Sequence, residues 1–140
     1  MMQRYLAVCA AVLGVLAFSG CSKKKEIELP AVVTDYVKQL ELIETALSRV
    51  QDVESAKECV RSLEAIAPAS RLAYERYHAW SWEAPKHLTM VELKAHTGAV
   101  DEVDTRVLEQ VNRIIEKPDL MRIVKPALKP LGGVISILGN

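Results

Sequence analysis

The stretch that decides the fold is 29-LPAVVTDYVKQLELIETALSRV-50. Its apolar residues alternate spacings of four and three over three heptads: Leu29, Val33, Tyr36, Leu40, Ile43, Leu47 and Val50. This spacing is typical of a helix that packs nearly parallel to its neighbours. Pro30 suits the first helical position, because an N–H at that position has no helical partner. The pattern therefore predicts a helix over residues 30–50.

A second helix is predicted over about residues 53–81. Asp52 is suited to cap it, because a carboxylate accepts hydrogen bonds from the free N–H groups of a first turn. The apolar stripe continues on both sides of Pro68, a residue that removes one helical hydrogen bond and crowds the preceding turn. The sequence therefore favours one kinked helix over two separate helices.

A third helix is predicted over about residues 89–117, on apolar residues spaced seven apart: Leu93, Val100, Val107 and Ile114. Beyond it, Pro118-Asp119 starts a final stretch in which Pro126 and Pro130 prevent one long regular helix, although an apolar face continues. No segment shows the alternation of a strand, so the sequence predicts an all-α fold. The expected architecture is an antiparallel three-helix bundle (about 30–50, 53–81 and 89–117) with a C-terminal helical segment packed as a partial fourth.

The first twenty residues have the pattern of a secretory signal peptide. One basic residue, Arg4, precedes fourteen residues without a charged side chain, from Tyr5 to Phe18. A bilayer-spanning helix needs about 20 apolar residues, so this run is too short to span a membrane and suits a signal peptide. Ser19-Gly20, two small residues, and then Cys21 follow the run.

The junction Phe18-Ser19-Gly20-Cys21 resembles the lipobox of bacterial lipoproteins, although Phe18 stands where Leu is usual. The resemblance implies cleavage between Gly20 and Cys21, diacylglycerol on the Cys21 sulfur, and often an acyl chain such as palmitate on the new amino group. Two or three chains give stable membrane anchoring. The alternative is an ordinary secretory signal with a cysteine at the cleavage point by chance.

The chain then divides into a signal peptide (1–20), a tether with three lysines (21–29) and a helical domain (30–140). The lysines can lie against anionic headgroups. Ser22 stands where Asp would indicate retention in the inner membrane, by the sorting rule of lipoproteins. The expected location is the bacterial cell envelope, with the outer membrane favoured if the host is Gram-negative.

The mature part resembles a loosely defined group of small helical bacterial lipoproteins. The motifs that carry this resemblance are Asp52-x-x-Ser55-Ala56, Leu63 and Pro118-Asp119-Leu120. It covers most of residues 36–125 and implies a helical fold. The group has no activity to transfer, so the resemblance implies no mechanism.

The charge balance and the cysteine count exclude some binding partners and some disulfide bonds. Lys and Arg together number 18 and so do Asp and Glu, and this balance argues against nucleic acid as a partner. After removal of residues 1–20 and lipidation of Cys21, Cys59 is the one remaining thiol, so the mature chain has no internal disulfide. Cys59 falls on the apolar face of the second helix, where burial is expected rather than a covalent dimer.

Glu75-x-x-His78 has the spacing of a di-iron helix bundle, but no second copy exists. His78, His87 and His96 form no i, i+4 pair of the kind that binds zinc. His96 lies between Leu93 and Val100, where a hydrogen-bonded histidine at the edge of the core is expected. A His–Met haem pair is conceivable, but no site is predicted: the sequence assigns no metal and no cofactor.

No catalytic motif is visible, since both the nucleophile elbow and the phosphate-binding glycine loop are missing from the sequence. Asp101, Glu102 and Asp104 are close in sequence but point in different directions on a helix, so a solvated face is expected. The sequence therefore predicts a protein that is not an enzyme.

Four of the five aromatic residues outside the signal peptide lie within nine positions: Tyr74, Tyr77, Trp80 and Trp82. They form either an interaction patch or a plug for the core at the end of the bundle, and the plug is favoured because the mature chain has no Phe. The expected function is a non-enzymatic structural or protein-interaction role on a membrane, with an envelope protein as partner. The alternative is a bundle that binds a metal, haem or small ligand near Glu75, His78 and His96.

Overall fold

A computed structural model of the chain describes residues 27–135, which form four helices and two short 3₁₀ turns. The helices are α1 (Ala31–Ser48), α2 (Val53–Glu83), α3 (Met90–Ile115) and α4 (Pro118–Leu128), and the 3₁₀ turns are Ala84–Lys86 and Lys129–Leu131. These residues contain no β-strand. The predicted all-α fold is confirmed. The signal peptide, the lipobox and the lysines of the tether lie outside the described residues.

Local side-chain chemistry sets the helix starts. The Asp52 carboxylate accepts a hydrogen bond from the Ser55 N–H (2.8 Å), and the Ser55 hydroxyl accepts one from the Asp52 N–H (2.9 Å). This reciprocal capping box confirms the predicted cap, and the Ser55 hydrogen bonds lower the pKa of Asp52. Thr89 and Glu92 form the same box before α3. Pro30 is the N-cap of α1, one position before its predicted place.

Helix α2 continues through Pro68 as a single element of 31 residues. This confirms the prediction of one helix across the proline. Leu63 and Ala73, on either side of Pro68, are both buried. The burial of apolar side chains before and after the proline offsets the free energy lost with the helical hydrogen bond that Pro68 removes.

The helices pack so that α1 and α4 each contact both α2 and α3, with α4 closer to α2 than to α3. Within residues 27–135, the backbones of α2 and α3 do not approach each other. The C-terminal helix therefore joins α2 to α3 from the side that α1 does not cover. The largest fully buried side chains are all aliphatic: Leu40, Ile43, Leu47, Leu63, Ile114, Leu128, Leu131, Ile135, Val33, Val50, Val107 and Val111.

Arg113 of α3 ties α3 to the C-terminal end of α1. Its guanidinium donates to the carbonyls of Val50 (2.7 Å) and Leu47 (2.9 Å). Helix α1 has no basic residue in its own last turn, so Arg113 supplies the charge that favours a helix C-terminus. A second contact joins the same two helices nearer their N-terminal ends. Arg106, two turns before Arg113 on α3, binds Glu44 of α1 through Nε (3.1 Å).

These contacts define two ends of the molecule. The far end contains the α1–α2 turn (49–52) and the α3–α4 turn (116–117). The tether end contains residues 27–30, where the chain reaches α1, and the α2–α3 connection (84–89). Tyr36 stacks on Tyr77 at 4.7 Å, and a helix rises 1.5 Å per residue, so the start of α1 lies level with the last turn of α2.

Candidate functional site

The four aromatic residues that lie close together in sequence, between positions 74 and 82, do not form one surface. Tyr74, Tyr77 and Trp80 are half-buried and pack against the hydrophobic core, whereas Trp82 is 70% exposed. Trp82 lies two positions beyond Trp80, which is about 200° around a helix. The four residues therefore divide into three that plug the tether end and one that faces solvent.

A line of stacked rings crosses the tether end from α1 through α2 to α3. Tyr36 stacks on Tyr77 (4.7 Å between centroids), Tyr77 stacks on Trp80 (5.8 Å), and Trp80 contacts His96 (5.7 Å). Trp80 and His96 thus bridge α2 and α3, whose backbones stay apart. The rings occupy the tether end of the α2–α3 gap, toward which α4 runs from the far end.

Tyr36 is the residue of this cluster that the sequence did not indicate. Its hydroxyl donates to the Val134 carbonyl (2.7 Å), which fixes the chain after α4 against α1. The pKa of Tyr36 is raised mainly by burial, and the negative charge of Asp104 raises it further. The place of Tyr36 in the α1 seam indicated burial, but no local signal connected it to aromatic residues about 40 positions later.

His96 lies in the core with 3% of its surface exposed. We expected a hydrogen-bonded histidine at the edge, and this expectation is wrong: neither ring nitrogen has a hydrogen-bond partner among the described residues. Its ring packs beside Trp80 instead. Burying a polar group without a partner is destabilising, so His96 differs from Ser70, the other buried polar residue, whose hydroxyl donates to the Gln39 amide oxygen (3.2 Å).

The Glu75-x-x-His78 pair lies on the outside of α2, where both side chains are exposed. His78 accepts a hydrogen bond from the Trp82 indole N–H (3.4 Å) and contacts the Tyr74 ring (5.7 Å). His96, the third residue of the alternative ligand site, is buried on α3. Residues 27–135 contain no group of three His, Cys, Asp or Glu side chains that could hold a metal ion.

The acidic run on α3 is only partly solvated. Asp101 and Glu102 are exposed, and Glu102 binds Arg106 (3.0 Å). Asp104 is half-buried, so the predicted solvated face is wrong for this residue. Burial raises the pKa of Tyr77, and the charge of Asp101 adds to that effect. The acidic run therefore lies beside the line of stacked rings and does not form a separate acidic surface.

Cys59 is 3% exposed, which confirms its predicted burial. Burial raises the pKa of its thiol to about 11. The thiolate is the reactive form of cysteine, so this residue is chemically quiet at neutral pH. Its position on α2 belongs to the far half of the core.

The surface of α4 carries a basic groove of about 570 Å³. Its lining combines three cations with three apolar residues: Arg122, Lys125, Lys129, Met121, Pro126 and Leu128. Pro126, within the helix, is part of this lining, although the sequence indicated it only as a break in a regular helix. A groove with an apolar floor and a cationic rim can receive an apolar segment that carries acidic residues.

Comparisons with family models, curated proteins and solved structures find no match to this chain. None of the helices among the described residues is both long and apolar enough to cross a membrane. Cys21 and Gly20 lie outside those residues, so the lipidation and cleavage sites stay predictions from the sequence.

Proposed function

We propose that this protein is a lipid-anchored helical lipoprotein of the bacterial cell envelope that acts without catalysis, by contact with another envelope protein. The observation that carries the proposal is the uncharged run from Tyr5 to Phe18, followed directly by Ser19-Gly20-Cys21. A signal of this length directs export, and a cysteine at its end is the acceptor of the lipid.

The anchor is tested by Cys21→Ala, with Cys9→Ala as the matched control. Cys21→Ala should abolish both processing and lipid attachment, whereas Cys9→Ala removes a cysteine from the apolar run and should be processed normally. Fractionation of envelopes and gel mobility of the chain measure both effects. Unchanged processing and membrane retention of Cys21→Ala would rule out the lipoprotein assignment.

We also propose the finer architecture: α1, α2 and α3 run up, down and up, and α4 packs as a partial fourth helix. The pairing of Glu44 with Arg106 and of Val50 with Arg113 supports a common direction for α1 and α3. The pairing of Tyr36 with Tyr77 supports the opposite direction for α2. This arrangement leaves the basic groove of α4 on the half of the domain away from the tether.

The basic groove is the proposed contact surface for the envelope partner. Arg122, Lys125 and Lys129 are exposed around it, and the partner segment should be acidic with an apolar residue that fills the groove. A photoreactive residue at position 125 should crosslink one specific protein in intact envelopes. The same residue at the exposed position 58 of α2 should not, and Arg122→Glu should weaken the crosslink at 125.

A crosslink of equal strength from both positions would contradict the groove as the contact surface. A monomeric chain that crosslinks to no specific partner from any exposed position would contradict the contact function itself.

A second candidate function is the binding of a metal, haem or small ligand inside the bundle. One observation favours it: His96 is buried with both ring nitrogens unpartnered among the described residues. An absorption spectrum and metal analysis of protein purified from its membrane test it. A bound chromophore or stoichiometric metal that is lost in His96→Leu would establish this function instead.

A further inference from the structure

Three large apolar side chains are exposed at the tether end. Trp82 is 70% exposed near the end of α2, and Met90 and Val91, which begin α3, are 68% and 70% exposed. Only the short connection 84–89 separates them in sequence. Such side chains are normally withdrawn from water, and three of them around one turn indicate a surface that meets something apolar.

The same end receives the chain from the tether. The Tyr36–Tyr77 stack places the start of α1 level with Trp82, five residues from each partner along the two helices. The Glu44–Arg106 pair places it within about one turn of the start of α3. Trp82, Met90, Val91 and Pro30 therefore share one end of the molecule.

The tether keeps this end close to its anchor. Pro30 lies nine positions after Cys21, and even a fully extended chain of that length reaches about 30 Å. Helix α2 alone, with 31 residues, is about 46 Å long. The tether end is thus always held near the membrane at high effective concentration, where a weak apolar contact is sufficient for docking.

The charges at this end allow contact with lipid headgroups. Between positions 82 and 91 the charged residues are Glu83 and Lys86, which pair with each other at 2.9 Å. The segment therefore brings no net charge to the surface. Trp is also the residue that membrane proteins place at headgroup level, because its ring is apolar and its N–H is polar.

We propose that the tether end docks on the lipid surface itself, with Trp82, Met90 and Val91 inserted at the boundary between headgroups and acyl chains. This inference rests on the proposed lipid anchor at Cys21. It fixes the orientation of the domain: α2 and α3 stand on the membrane, and the basic groove of α4 is held away from it. A protein partner at the same patch is the competing occupant.

The test uses the full chain, produced with its signal, purified in lipidated form and reconstituted in vesicles of phosphatidylethanolamine and phosphatidylglycerol. Trp80→Phe leaves Trp82 as the sole tryptophan, and Trp82→Phe leaves the half-buried Trp80 as the matched control. Lipids brominated high on their acyl chains should quench Trp82 fluorescence by about half, because a side chain at this boundary lies 5–10 Å deep. They should leave Trp80 unchanged.

A second variant guards against disturbed packing of the rings. Met90→Ser/Val91→Ser, made in the Trp80→Phe background, alters only exposed side chains and should retain its circular dichroism. It should lower the quenching of Trp82 by brominated lipid about twofold, because two of the three inserted side chains become polar.

The outcomes separate the docking from the anchor. In one outcome, Cys21 carries the mass of a diacylglyceryl group, and Trp82 fluorescence is quenched by acrylamide in water but not by brominated lipid. This outcome overturns the docking and leaves the anchor intact. A chain without lipid on Cys21 overturns the anchor, and the docking falls with it. Trp82 that is shielded in native envelopes but accessible in pure lipid vesicles assigns the patch to a protein partner and overturns the docking as well.

Discussion

The far end and the tether end of this domain differ in the side chains that fill the space between their helices. At the far end, α4 joins α2 to α3, the largest fully buried side chains are aliphatic, and Arg113 satisfies the carbonyls at the end of α1. At the tether end, rings fill the space between α2 and α3, and His96 is buried without a hydrogen bond among the described residues.

The difference indicates how the two ends divide stability and function. Burial of aliphatic side chains is favourable and leaves no polar atom that needs a hydrogen bond, so the far end should supply most of the free energy of unfolding. The tether end retains a buried histidine, and its three exposed apolar residues are 68–70% exposed, against 48% for Val53 and 51% for Ile115 at the far end. Stability alone does not favour these features. Four measurements test this comparison, from the largest expected effect to the smallest.

Leu47→Ala should lower the free energy of unfolding by about 3 kcal/mol, because it opens a cavity in the aliphatic core of the far end. Chemical denaturation of the mature protein in detergent measures the change. Leu42→Ala, on the same helix with 42% of the side chain exposed, is the control and should cost less than about 1 kcal/mol. Equal losses from the two variants would mean that the far end is not a close-packed core.

The buried Cys59 should make stability fall in alkali. The folded state raises the thiol pKa from its ordinary 9.0 to about 11, so the folded protein holds this proton more tightly than the unfolded chain. This contribution is fully present below pH 9, and about 2 kcal/mol of it is lost by the time the pH reaches about 11.

Other groups titrate in the same range, so the pH profile of Cys59→Ala is subtracted from that of the wild type. The difference should be flat below pH 8 and should decline above pH 9. A difference that stays flat up to pH 11 would show that water reaches the thiol.

His96→Leu should raise the free energy of unfolding by about 1 kcal/mol, because it replaces a buried polar ring that lacks hydrogen bonds with an apolar side chain. Thermal and chemical denaturation of the mature protein measure the gain. A loss of more than about 1 kcal/mol would instead assign His96 a bound partner, and so would favour the second candidate function.

Thr89→Ala should cost about 1 kcal/mol or slightly less, because it removes the side chain that caps α3 at the tether end. Thr89→Ser retains a hydroxyl and should restore most of the loss. Both variants are measured by chemical denaturation. A Thr89→Ala protein as stable as the wild type would show that the first turn of α3 is already frayed.

The sequence was sufficient for the features that depend on neighbours along the chain. The α1 seam, the Asp52 cap and the passage of α2 through Pro68 follow from spacings and side chains within a few residues, and all three are present. The separation of Trp80 from Trp82 was also within reach, since a two-residue step crosses to the other side of a helix.

The remaining features depend on how distant helices align. Tyr36 meets Tyr77 only because α1 and α2 pack with that register, and nothing near Tyr36 in sequence encodes the pairing. The packing of His96 likewise depends on an α2 side chain, Trp80, that lies against its ring. The basic groove of α4 depends on how Pro126 and the cations around it lie in three dimensions, which their sequence positions do not provide.

The central claim is that the domain is joined to a membrane through lipid on Cys21. The most direct test is the intact mass of the wild-type chain extracted from bacterial membranes. We expect a polypeptide that begins at Cys21 and carries the added mass of a diacylglyceryl group, with or without one further acyl chain. A chain that begins at Met1, or one that begins near residue 21 with no added lipid mass, would contradict it.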